Sequence, residues 1–350
     1  MTKVTKIIRV CQSMLAVLVV HAGIAHAQAA PAGPAPTGLV VGSGNFYSPI
    51  VEDLAKAVEF YRNGLGFEVR GEPTNADANP QLRAMFGLLD AHLRQQIGRA
   101  PPTPGGVEIV EIPKSGGRPV ERKMQDPGAV MLIVVMRDID APLARVKQLG
   151  APVVTKGGVP VNVGAQGRAV VVKDPAGHFV QLVQPSTLPP APADSTANIV
   201  GVRVRHTVAS LEHSLPLYRG ALGLAGDAQV PAYVGDPMVL DVLGLPHNMQ
   251  YRSRTLTVPS SGLQMDLMEF KGARPPAKPA VLEPGSTRMQ LRVSDIDAAV
   301  AALTKAGGKF ISTGGKPLDL PAGNLTLKVG IVRDPDDLFV VLIQAPPAPK

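Results

Sequence analysis

The chain is poor in cross-linking chemistry and in aromatic side chains. Its 350 residues include no Trp, a single Cys and only 4% aromatics. The one Cys is Cys11, so a product starting beyond it has no disulfide and no thiolate metal ligand. Stability must then come from burial, which a chain of this length can supply in one or two domains. Lys and Arg are scattered, with no basic helix or stripe. Nucleic-acid binding requires a clustered basic face, so that partner is excluded. No apolar run beyond the N-terminal segment suits a membrane span. A P-loop, a dinucleotide fingerprint and a nucleophile elbow are all missing. Gly157-Gly158 and Gly314-Gly315 read as turn punctuation.

The N-terminus carries an address. Lys3, Lys6 and Arg9 form a positive segment without an acid, followed by the apolar run Met14-Leu15-Ala16-Val17-Leu18-Val19-Val20. Ala25-His26-Ala27 supplies a small-residue cleavage pattern. Residues 1–27 are therefore expected to be a secretory signal, with a periplasmic or secreted product starting at Gln28. The three cations leave with it, so the net charge falls from +7 to +4. Residues 28–39 form a flexible tether rich in Pro and Ala, and 186–197 a Pro-rich linker that disfavours helix.

Between and after these stretches one unit is written twice. Asp53-Leu-Ala-Lys-Ala-Val-Glu-Phe-Tyr-Arg-Asn-Gly-Leu-Gly-Phe67 matches Ser210-Leu-Glu-His-Ser-Leu-Pro-Leu-Tyr-Arg-Gly-Ala-Leu-Gly-Leu224, 157 positions later. Arg137-Asp-Ile-Asp-Ala matches Ser294-Asp-Ile-Asp-Ala at the same spacing. Self-similarity at a fixed offset marks a duplicated unit. Each unit splits again, giving modules over 40–113, 129–185, 198–271 and 286–345. Each module opens with a strand (44–51, 130–136, 199–208, 287–293). An Asp or Ser then caps a helix, which is expected to close at Gly64, Gly150, Gly220 or Gly307. Further strands follow at 106–112, 167–172, 178–184, 262–270, 325–332 and 338–344. The last strand of modules two and four follows an Asp-Pro turn, Asp174-Pro175 and Asp334-Pro335.

These features together resemble the vicinal oxygen chelate superfamily, which includes glyoxalase I, bleomycin-resistance proteins and extradiol dioxygenases. The carrying motifs are the Tyr-x-x-x-Leu-Gly helix ends, the Asp-Ile-Asp-Ala helix starts and the ending Asp174-Pro-Ala-Gly-His-Phe-Val-Gln-Leu182. The resemblance spans most of residues 40–345. It implies an α+β fold of four βαβββ modules, paired into two tandem half-barrel domains over 40–185 and 198–345. Each concave face would hold a ligand. It implies fold rather than reaction.

The resemblance also implies where a metal would sit: on the first strand and a late strand of each module. The first-strand positions hold Phe46, Met131, Arg203 and Arg288, none of them a metal donor. The late-strand positions hold Glu108, Gln181, Asp266 and Val341. Too few donors converge, so no metal ligand and no cofactor is assigned; a divalent ion at a different position stays open. None of the histidines beyond the signal makes an i, i+4 pair. His178 reads as a turn residue, His92 and His247 as loop residues, and His206 as a residue of the helix-packed face.

Period-2 alternation sets Arg203 and Arg205 on one face of their strand, and Arg288, Gln290 and Arg292 on one face of theirs. With Asp266 and Gln181 they form a candidate binding set for an organic anion, since guanidinium grips carboxylate or phosphate with two hydrogen bonds. A structural Arg–acid network is the alternative. In the first unit the matching face is apolar with Glu108, a candidate general base. The expected function is an exported protein binding a small, anionic organic molecule. The alternative is a metal-dependent lyase, isomerase or dioxygenase with a relocated metal. The partner is a small molecule, and the oligomeric state is open.

Overall fold

The structure is a computed structural model that describes residues 37–75, 79–88, 92–101, 103–112, 121–191, 195–273 and 283–346. The expected signal segment and residues 28–36 of the tether lie outside the described residues. Within them no helix is long and apolar enough to cross a membrane.

Module one comprises β1 (Val40–Ser43), β2 (Ser48–Val51), α1 (Leu54–Glu59), β3 (Glu68–Val69), β4 (Thr74–Asn75), α2 (Pro80–Phe86), β5 (Arg94–Arg99) and β6 (Gly106–Glu111). Module two has β7 (Val130–Met136), α3 (Asp140–Gln148), β8 (Val161–Asn162), β9 (Arg168–Lys173) and β10 (Phe179–Gln184). Module three has β11 (Ile199–Thr207), α4 (Leu211–Leu215), α5 (Pro237–Val242), β12 (Tyr251–Thr257) and β13 (Gln264–Phe270). Module four has β14 (Thr287–Val293), α6 (Ile296–Lys305), β15 (Lys309–Phe310), β16 (Leu318–Ala322), β17 (Leu325–Arg333) and β18 (Phe339–Gln344). The α+β class and the half-barrel modules are as expected from the sequence.

The modules pair out of sequence order. β7 of module two runs antiparallel to β11 of module three, and β14 of module four runs antiparallel to β1 and β2 of module one. One sheet is thus built from modules two and three, the other from modules one and four. The sequence-neighbour pairing expected above is corrected at this point. What joins modules one and two is their helices. Arg145 of α3 donates from Nε to the Asn63 carbonyl at 2.9 Å, and a Cβ at Gly64 would stand 2.8 Å from Val146. Gly64 therefore serves close approach rather than ending the helix. The chain continues from α1 through a π-helical turn (Phe60–Leu65) and ends at Gly66, whose φ of +91° favours glycine. A single apolar core links both sheets through α1, α3, α4 and α6.

One hydrogen bond recurs in all four modules. An acceptor at the end of the last strand takes the first amide of that module's helix. Glu111 accepts from Leu54 N (3.0 Å), Gln184 from Ile139 N (3.4 Å), Glu269 from Leu211 N (2.8 Å) and Gln344 from Ile296 N (2.9 Å). The first turn of a helix has amides without intrahelical partners, and a buried one left unpaired costs about 1–3 kcal/mol. The capping oxygens of Asp53 and Asp295 serve the next amides, Lys56 N and Ala298 N.

The linker is not free of contacts. Arg137 donates to the Pro189 carbonyl at 2.8 Å, and Ser186 Oγ to the Ala165 carbonyl at 2.6 Å. Two helices between early and late strands, α2 and α5, were not anticipated. Each starts on an Asx-Pro pair whose side chain caps the first turn, Asn79 to Leu82 N and Asp236 to Met238 N. Pro at the first helical position suits that role.

Asp-Pro turns pin helices to strands. Tyr61 Oη donates to Asp174 at 3.0 Å, and Tyr218 Oη to Asp334 at 2.6 Å. His178, read as a turn residue, is a buried partner of Asp174 (Nδ1 at 3.1 Å), with Nε2 3.1 Å from the Ser286 carbonyl. Burial alone would lower the His178 imidazole, but the Asp174 charge and hydrogen bond and the Ser286 carbonyl lift it above its ordinary value. A raised folded-state value means stabilisation that is full below the unfolded imidazole value of about 6.5. It is lost as pH rises through the folded value. Urea denaturation of wild type and His178→Gln is expected to show a larger stability gap near about pH 5.5 than near about pH 8.5. A gap independent of pH would mean that the imidazole contributes no charge.

Candidate functional site

The two concave faces have opposite character. In the sheet of modules two and three, register lines up Gln181, Ile133, Arg203 and Gln264 across β10, β7, β11 and β13. The adjoining row is Phe179, Met131, Arg205 and Asp266. The alternation read from the sequence thus holds on β11. Gln181, Arg203, Arg205 and Gln264 of these rows line a cavity of about 990 Å³. Apolar walls come from Val135, Val183, Val202, Leu263 and the α5 residues Val239 and Val242, and Arg137, Gln166 and Thr103 add polar groups. Leu188, Pro189 and Pro190 of the linker lie along it too.

Polar groups in this cavity lack partners. Arg203 Nε, Arg205 Nε and Gln181 Oε1 are all buried without a hydrogen bond. Asp266 offers partial compensation at 3.6 Å from Arg205 Nη2, while its other oxygen takes the Thr255 hydroxyl at 2.7 Å. Burial pulls the Arg205 guanidinium below its ordinary value; Asp266 opposes this and the charge of Arg203 adds to it. Two guanidiniums facing one acid leave the cavity electropositive.

In the sheet of modules one and four the polar groups close on each other. Arg288, 1% exposed, donates from Nη2 to Ser48 Oγ (2.6 Å) and to Glu108 Oε2 (2.9 Å). Gln290 Nε2 donates to the same carboxylate, and its Oε1 takes Asn45 N at 3.0 Å. The guanidinium stacks 4.4 Å above the Phe86 ring of α2, so α2 covers this concave face. Apolar side chains such as Ile50, Val110 and Val341 fill the rest. Burial depresses the Arg288 guanidinium, offset by Glu108.

The expected groupings are accordingly revised. Glu108 does not share a cavity with Gln181, because their strands belong to different sheets. It is held by Arg288, Gln290 and Ser48 and is no free base. Arg288 and Gln290 are separated from Arg203, Arg205 and Asp266 for the same reason. Arg292 is exposed on β14 and does not join the buried contacts of Arg288 and Gln290. The Arg–acid network holds in one half-barrel, and the open arginine set in the other.

Neither concave face fits a divalent ion at the positions the family resemblance implies. Glu108 already has three donors on it, and Asp266 and Gln181 lie in rows that also hold two guanidiniums, which repel a cation. Among the described residues, one group of three His and acidic donors converges: His206, Asp334 and Asp336. His206 lies on the helix-packed face, as read from the sequence, away from the cavity.

Residues 45–182 match the family described as Glyoxalase/Bleomycin resistance protein/Dioxygenase superfamily. Residues 45–182 belong to this superfamily. Among solved structures, glyoxalase I from Zea mays is similar at 17% identity, with a TM-score of 0.52. The match covers 88% of this chain and 92% of that one. A variant of the same maize enzyme gives 18% identity and a TM-score of 0.54, covering 88% and 93%. At such identity the likeness is one of fold. No curated protein sequence matches the chain significantly.

Breaking the Glu108–Arg288 pair on one side strands a buried charge, which costs about 3–5 kcal/mol. Arg288→Ala is expected to lose that much in chemical denaturation. The double variant Glu108→Leu/Arg288→Met should regain most of it. Equal losses in single and double variants would show that shape, not charge, governs this face.

Proposed function

We propose that this superfamily member is an exported binding protein that holds a small organic anion in the cavity between modules two and three. Arg203 and Arg205 grip the anionic group, Gln181 and Gln264 orient it, and the apolar walls take its carbon skeleton. The observation that carries this reading is the pair of half-buried arginines that line the cavity and whose buried Nε groups have no hydrogen-bond partner. An unsatisfied buried donor costs about 1–3 kcal/mol, and a carboxylate accepting two N–H bonds removes that cost. The volume matches small-molecule sites, which run to about 1,000 Å³.

A binding role fits better than turnover. Among the described residues, the cavity offers no metal donor set, no nucleophile beside a base, and no carboxylate free of a guanidinium or hydroxyl partner. Export rests on the basic, apolar and Ala-His-Ala order of residues 1–27. Protein recovered from the periplasm or medium of a bacterial host should begin at Gln28 by N-terminal mass spectrometry. An intact Met1 on the exported pool would overturn the signal assignment.

Titration calorimetry with benzoate and its neutral isostere benzamide tests the cavity. Benzoate should bind and benzamide should bind about tenfold or more weaker, the loss of one charge-assisted contact. Arg203→Ala should bring benzoate down to the benzamide level, without loss of melting temperature. Unchanged benzoate affinity in Arg203→Ala and Arg205→Ala would overturn the site. Chemical conversion of a bound ligand would overturn the non-catalytic reading while leaving the site intact.

A further inference from the structure

The two Asp-Pro turns occupy corresponding places in modules two and four but have different chemistry. In the first, Asp174 meets one imidazole, and both nitrogens of His178 are satisfied by Asp174 and the Ser286 carbonyl. Ala176 completes that turn. In the second, Asp336 stands where Ala176 does, and the imidazole comes from β11 instead. His206 is 0% exposed and its Nε2 lies 3.3 Å from Asp334 Oδ2. Neither ring nitrogen of His206 makes a hydrogen bond. One donor atom from each of His206, Asp334 and Asp336 lies within 4.8 Å of the others.

The charge is also unequal. One carboxylate and one imidazole balance in the first turn; two carboxylates and one imidazole do not in the second. The nearby guanidiniums of Arg122 and Arg333 are engaged by Asp337. The carboxylates are held in place from behind. Tyr218 Oη and the amides of Asp336 and Leu338 bond Asp334, while Ala209 N and Ser214 Oγ bond Asp336. An imidazole and two oriented carboxylates form a donor set for a divalent first-row ion. Oriented ligands with outer partners are what such a site needs.

We propose that His206, Asp334 and Asp336 bind a divalent transition-metal ion that ties β11 of one sheet to the β17–β18 turn of the other. The site lies on the core side of β11, apart from the arginine-lined cavity. Its role is structural: the ion adds a tie between two sheets that also meet through packing and through bonds such as Tyr218–Asp334 and Tyr61–Asp174. Only the folded chain assembles the three ligands, so binding adds to folding stability.

The test uses untagged full-length protein dialysed against EDTA, titrated calorimetrically with zinc chloride or manganese chloride, with melting temperature read in parallel. One equivalent of ion should bind and raise the melting temperature. Asp336→Ala should fold, since Ala176 fills that place in the first turn. It should bind about tenfold or more weaker and lose the thermal response. Asp336→Asn, which keeps an acceptor for Ala209 N, and His206→Gln should behave alike. His247→Ala, at the exposed His247–Asp241 pair, should change nothing. No uptake by wild type would overturn the proposal. So would uptake that survives in Asp336→Asn and His206→Gln, or uptake lost in His247→Ala alone.

Discussion

The antiparallel pairing of β7 with β11, matched by that of β14 with β1 and β2, sets which side chains can meet. Strand pairing carries an inward row of one module directly onto the inward row of its partner. Arg203 therefore stands beside Ile133 and, through it, Gln181. Arg288 stands beside Ser48 and, through it, Glu108. Had each unit paired its own two modules, the acid and the arginines would have sat in different cavities. Glu108 would have faced an apolar pocket, and the arginines would have faced one another.

That pairing also explains why two similar half-barrels differ in what they hold. In one, Arg288 finds a carboxylate and a hydroxyl within bonding distance, and α2 lays Phe86 over the guanidinium. Buried charge is tolerated there because Glu108 pairs it at 2.9 Å, although the Arg288 Nε has no hydrogen-bond partner. In the other, one acid faces two arginines, and Val239 and Val242 of α5 form one wall of a cavity over the sheet. The space between is what a ligand would fill. The same module geometry thus yields a closed polar knot or an open electropositive cavity, depending on the count of acids and on where one short helix rests.

The duplication itself is maintained by repeated local bonds. Each module ends on Glu or Gln, and each of these side chains takes the first amide of its own helix. The Tyr–Asp bonds of the two units add a second repeated tie. Outside those ties the copies diverge, most plainly where Ala176 is replaced by Asp336 and the partner histidine moves from the turn to β11.

Much of this was legible in the residues. The 157-position repeat, period-2 alternation on β11 and β14, the helix caps and the Asp-Pro turns depend on short-range sterics and hydrogen bonding. They could be read locally, and so could the inward placement of Arg203, Arg205, Arg288 and Gln290. The Asx-Pro starts of α2 and α5 are equally local signals. What no local pattern carries is the choice of partner for a strand's free edge. The backbone edges of β2, β7, β11 and β14 are chemically alike, so side-chain periodicity cannot say which joins which. Tertiary packing of four helices into one core made that choice. It placed Arg288 on Glu108, left Arg203 and Arg205 facing open volume, and brought His206 to Asp334 across the two sheets.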